Sequence, residues 1–75
     1  MALTDFQGRY VFIKLYSNFY YTGTIKEVEF MGFKSDGSPY YIVSMTDKFG
    51  KFVAINSREI KSIEEQDPKA EEVLK

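Results

Sequence analysis

Apolar and polar residues alternate along most of this chain, with the two-residue period of half-buried β-strands. In residues 9–16, Val11, Ile13 and Leu15 fall on one face, and Tyr10, Phe12, Lys14 and Tyr16 on the other. Ser17-Asn18 interrupts the alternation, and Asn tolerates the positive φ of a tight hairpin turn. Residues 19–30 read as a long second strand with Phe19, Tyr21, Gly23 and Ile25 on one face. The phase then slips, because Val28 and Phe30 fall on the opposite parity. A slip beside a glycine predicts a bulge or a sharp bend.

Residues 31–39 carry Asp36-Gly37 and Ser38-Pro39, both turn dipeptides, and read as a loop. A third strand follows over 40–47, with Tyr41, Val43 and Met45 on one face. Asp47-Lys48-Phe49-Gly50 is a hairpin turn with its glycine last. Residues 51–56 and 59–64 give the fourth and fifth strands, separated by Ser57-Arg58. At the N-terminus, residues 3–7 suit one helical turn before Gly8. From Gln66 the composition changes. Asp67-Pro68 starts either a short capped helix or a frayed tail.

This order predicts an all-β fold: a small, strongly bent, five-stranded antiparallel barrel, closed or nearly closed. The barrel spans 1–64 and an acidic tail or short helix spans 65–75. Seventy-five residues make one domain. A chain of this size buries only roughly 60% of the surface that its unfolded form exposes.

Composition narrows the chemistry. With neither Cys nor His, the chain lacks disulfides, Cys/His zinc sites, thiol nucleophiles and His-based triads. No phosphate-cradling glycine loop is present either. The expectation is a protein that is not an enzyme and uses no cofactor. There is no apolar run long enough to span a membrane and no signal-peptide pattern at the N-terminus, so a cytoplasmic protein is expected. The net charge of −1 is unevenly spread. Residues 1–63 carry eight Lys/Arg and six Asp/Glu, whereas residues 64–75 carry two Lys and five acidic residues. The barrel is mildly basic and the tail holds the acidity.

Two stretches carry a family likeness. The first is Gly8-x-x-Val11-x-Ile13-x-Leu15, then Asn18, then Phe19-x-Tyr21-x-Gly23-x-Ile25. The second is Ile55-Asn56-Ser57-Arg58-Glu59-Ile60-Lys61-Ser62-Ile63. Together they resemble the two motifs of the Sm/LSm family, which includes the bacterial Hfq proteins, and the likeness covers residues 3–64. It departs from the family at Glu29, where the motif has Asp, and at Asn56-Ser57, where it has Arg-Gly. The loop over 31–39 also lacks the family's Met-Asn pair. The resemblance implies a homo-oligomeric ring of about five to seven subunits, in which the fourth strand pairs with a neighbour's fifth. It further implies that the loop after the second strand and the turn after the fourth strand converge on the pore.

The residues themselves point the same way. Tyr10, Phe12, Tyr16 and Tyr20 lie opposite the core face, and Tyr10 to Tyr21 contains one charge, Lys14. Such a strand left at an open edge is an aggregation hazard, which pairing between identical subunits removes. A monomeric barrel with exposed tyrosines is the simpler alternative.

The candidate site is Phe33, Lys34, Tyr40, Asn56, Ser57 and Arg58. Aromatic rings stack on bases, Asn and Ser hydrogen-bond base edges, and Lys and Arg meet phosphates. These residue types fit single-stranded RNA, or DNA in second place, bound by a chaperone or scaffold of RNA processing. Each residue also has a structural reading. Asn56-Ser57 suits a tight turn, Arg58 could pair with Glu27, Glu29 or Glu59, and Phe33 and Tyr40 could pack the loop. Lys48 and Lys51 form a second basic spot, read as a solvated turn. Two other readings stand beside RNA binding: an SH3-like module that binds a peptide through exposed tyrosines, and a monomeric SH3-like chromatin protein, which the negative net charge fits poorly.

Overall fold

The computed structural model describes residues 3–66. A 3-10 helix, Leu3–Phe6, is followed by β1 (Tyr10–Leu15), β2 (Tyr20–Phe33), β3 (Pro39–Asp47) and β4 (Phe52–Asn56). A second 3-10 helix, Ser57–Glu59, leads into β5 (Ile60–Glu65). The strands form one sheet in the order β4-β3-β2-β1-β5, with antiparallel neighbours throughout. The fold is mainly β. The expected helix or tail beyond Gln66 lies outside the described residues, and β5 runs to Glu65, one residue past the expected barrel boundary.

The alternation predicted for β1 is realised, with Val11 and Ile13 fully buried and Leu15 nearly so. Ile25, Val28, Val43, Met45 and Ile55 complete the core, and Leu3 and Phe6 pack against it from the N-terminal helix. Asn18 adopts φ 74° at the β1–β2 turn, the left-handed conformation its short amide side chain tolerates.

The phase slip in β2 is a bulge at Lys26. Ile25 pairs with Met45 and Glu27 with Ser44, so Lys26 is the extra residue. The bulge returns Val28 to the core face opposite Val43. The Val28 N–H faces the β1 side beyond the start of β1, and it donates instead to Gln7 Oε1 at 3.2 Å. Gly8 N–H donates to the Ile25 carbonyl, and Ile25 N–H to the Arg9 carbonyl, so the segment before β1 continues its ladder along β2.

Two expectations are corrected. The segment 31–39 is not all loop: β2 continues through Phe33 and β3 starts at Pro39, leaving only residues 34–38 as the turn. A second bulge, at Met31, absorbs the irregularity that made the segment read as loop. Nor is the sheet closed into a barrel, since β4 and β5 are its two edges. The reason is directional. Successive antiparallel steps across the sheet leave β4 and β5 running in the same sense. Closing the sheet would make a parallel pair, and parallel neighbours need a crossover of about a dozen residues. Ser57–Glu59 provides three. The turn instead carries the chain to β1, where Leu15 pairs with Ile60 and Tyr16 N–H donates to the Glu59 carbonyl.

Candidate functional site

The β4–β5 turn is built by its own side chains. Asn56 Oδ1 accepts the Arg58 backbone N–H at 3.1 Å and caps the short helix. Ser57 Oγ accepts the Tyr41 N–H at 2.9 Å. Ile42 opposite Asn56 is the last β3–β4 pair, so the Ser57 hydroxyl stands where the next strand residue would have offered a carbonyl. Each oxygen thus gives one lone pair to the fold. The Asn56 amide N–H groups and the Ser57 hydroxyl proton remain as donors, and the second lone pair of each oxygen remains as an acceptor. Arg58 is exposed, and no ion pair joins it to Glu27, Glu29 or Glu59.

Tyr40 pairs with Gly32, and Phe33 with Pro39, at the far end of the β2–β3 hairpin. Tyr40 lies about 7 Å along β3 from Ile42, beside the turn that Ser57 anchors. Phe33 and Lys34 lie further out, and no hydrogen bond, ion pair or ring contact joins them to Asn56, Ser57 or Arg58. The six expected residues thus form two groups in one chain. Tyr40 stands near the Asn56-Ser57-Arg58 turn, and Phe33 and Lys34 occupy the hairpin tip.

The structure adds two residues that sequence reasoning did not select. Phe30 and Tyr41 are cross-strand partners with ring centroids 5.8 Å apart, and Phe30 also meets Phe33 edge-to-face at 5.3 Å. Residues three apart in a regular strand point to opposite faces. The Met31 bulge, with Gly32 at φ 130°, brings Phe30 and Phe33 to the same side. The available signal was Gly32 itself, since a glycine inside a strand pattern marks a bulge. The resulting row continues the core face beyond β1 and β4, and there it becomes exposed: Phe30 is 51% and Phe33 69% accessible.

The hairpin tip is held by Asp36. Its Oδ1 accepts both the Ser38 N–H, at 2.9 Å, and the Ser38 hydroxyl, at 2.6 Å. These bonds, the hydroxyl first, hold the Asp36 carboxyl below its ordinary range, with a smaller contribution from Lys34.

The second basic spot is an ordered turn. Asp47 Oδ1 accepts the N–H groups of Phe49 and Lys51, and Lys48 N–H donates to the Thr22 carbonyl. Beside it, a groove of about 370 Å³ runs between the β1–β2 and β3–β4 turns, lined by Phe19, Tyr20, Tyr21 and Phe49 among others. Among the described residues no group of His, Cys, Asp and Glu could hold a metal ion, and no helix is long and apolar enough to cross a membrane.

No family model matches this sequence, and neither the curated proteins nor the solved structures contain a match.

Proposed function

We propose that this protein assembles into a ring of about five to seven copies and binds single-stranded RNA as a chaperone or scaffold. One observation carries the reading: among the described residues a single sheet ends in two edge strands of the same chain, β4 and β5, each paired on one side only. Two different free edges on one chain favour a head-to-tail contact, and such contacts close into rings when the rotation allows. In the ring the sheet continues from subunit to subunit, as a bent barrel that no single chain closes.

The RNA half of the reading rests on residue chemistry. The row of Phe30, Phe33 and Tyr41 offers stacking surface, worth about 1–3 kcal/mol per base. Lys34 and Arg58 supply charge for phosphates. The turn keeps both donors and an acceptor lone pair on each oxygen, so Asn56 and Ser57 can meet base carbonyls and ring nitrogens as well as exocyclic amines. Repetition around a ring converts a weak site into tight binding. Native mass spectrometry combined with anisotropy titration of oligo-U and oligo-A at low salt tests both halves. Monomer alone, or no binding to either oligomer, would sink the corresponding half. A single-stranded DNA competitor separates RNA from DNA.

The groove beside Phe19, Tyr20 and Phe49 favours a second reading, an SH3-like module that grips a peptide between aromatic side chains. Capture of protein that persists after nuclease treatment, with no oligonucleotide binding, would favour it.

A further inference from the structure

We infer that the two free edges join in one defined register, with Phe52 of one copy seated over a groove formed by Phe6, Ile63 and Glu65 of the next. This rests on the ring proposed above and specifies its contact.

The register follows from which backbone groups each edge leaves free. Gln66 N–H donates to the Tyr10 carbonyl, and hydrogen bonding alternates along an antiparallel ladder. Glu64 and Ser62, opposite Phe12 and Lys14, therefore turn their backbone groups toward β1. Ile63 and Glu65 turn theirs toward the open edge. On the other side, Asp47 N–H donates to the Lys51 carbonyl, so Val53 and Ile55 face β3 while Phe52, Ala54 and Asn56 face outward. An antiparallel pairing of the edges must match these outward sets. Phe52 opposite Glu65 and Ala54 opposite Ile63 is the match that engages all of β4, with the irregularity between Lys14 and Leu15 falling near Asn56.

This match has a consequence for side chains. Residues opposed in a ladder share a face. Within its own chain Phe52 lies on the face away from the core, opposite Thr46, whereas Ile63 lies on the core face opposite Ile13. The pairing therefore brings Phe52, 65% exposed in the single chain, over the core side of the next copy. A groove of about 470 Å³ lies there, lined by Phe6, Ile63, Glu64 and Glu65. Phe6 and Ile63 supply apolar surface for the ring. Lys51, the residue before Phe52, falls on the other face of the joined edge, diagonal to Glu64, so the charges there are complementary, while Glu65 keeps its ion pair with Arg9 of its own chain. The occupant is thus a second copy of this chain: its edge matches in direction, length and hydrogen-bonding phase, its exposed Phe52 meets the apolar Phe6 and Ile63, and its Lys51 answers Glu64.

Cysteine pairs test the register, because the natural chain has no Cys. Val53 and Glu64 of adjacent copies become a non-hydrogen-bonded pair, whose Cα atoms stand about 4.5 Å apart, within disulfide reach. Under mild oxidation, Val53→Cys/Glu64→Cys is expected to give a ladder of covalent multimers on a non-reducing gel. The pair shifted by two residues, Val53→Cys/Ser62→Cys, is expected to give none. A ladder from the shifted pair overturns the register. So does the absence of any ladder while the native mass remains that of a multimer. A native mass of one subunit for the unmodified chain overturns the ring itself, a separate outcome. In addition, Phe52→Glu is expected to convert multimer to monomer with an unchanged circular dichroism spectrum, and an intact multimer would overturn the role of Phe52.

Discussion

Gly23 on β2 lies so close to the backbone of Thr46 on β3 that a methyl group on it would overlap the Thr46 carbonyl oxygen. The same methyl would stand 2.6 Å from Asp47 Cα. The glycine serves space rather than an unusual backbone angle, since it is not among the residues with positive φ. Gly23→Ala is therefore expected to destabilise the fold by about 3 kcal/mol, as an overpacked core site does. Urea denaturation followed by circular dichroism measures this. A change below half that value would show that β2 and β3 can separate at little cost.

Ser57 and Tyr41 give a second prediction. Ser57→Ala removes the acceptor of a half-buried backbone N–H and is expected to cost about 1–2 kcal/mol. Ser57→Thr keeps the oxygen and should recover most of it. If Ser57→Ala leaves stability unchanged, the hydroxyl is not holding the turn against β3.

The exposed aromatic row separates binding from folding. Phe33 is mostly accessible, so Phe33→Ala is expected to leave the unfolding midpoint nearly unchanged. Its loss should weaken oligo-U and oligo-A alike, by about 5- to 150-fold, since stacking of about 1–3 kcal/mol per base is tolerant of sequence. Arg58→Ala should instead flatten the dependence of affinity on salt, because a phosphate contact acts through released counterions. Equal affinity of wild type and Phe33→Ala would remove the row from the site.

Asp36 predicts a pH effect confined to the hairpin tip. Its carboxyl is held below its ordinary range in the folded state, chiefly by the Ser38 hydroxyl and then by the Ser38 N–H. A depressed folded value means that the contribution is present above the unfolded value and is lost as pH falls through the folded one. Carbon-detected NMR titration should place Asp36 below the ordinary aspartate range, and Ser38→Ala should move it upward. No movement in that variant would show that Ser38 is not the cause.

The strands, their faces and their turns were legible in the sequence because each depends on neighbours along the chain. Val11, Ile13 and Leu15 point inward through two-residue periodicity alone, and Asn18 marks a left-handed turn by its side-chain chemistry. The slip between Ile25 and Val28 announced a bulge, which lies at Lys26. The Met31 bulge was hidden inside a run of turn residues, and with it the row of Phe30, Phe33 and Tyr41, because which face Phe33 occupies depends on pairing with β3.

Periodicity and turn residues are local properties, and they suffice for a mainly β domain with an alternating core face and five strands. That the sheet stays open is a property of the assembled strands. The relative sense of β4 and β5 emerges from the succession of pairings across the whole sheet, and no local pattern records it. Tertiary structure likewise decided that the Asn56 and Ser57 oxygens serve the fold. Their partners, the Arg58 N–H and above all the Tyr41 N–H, are brought to them by the path of the chain.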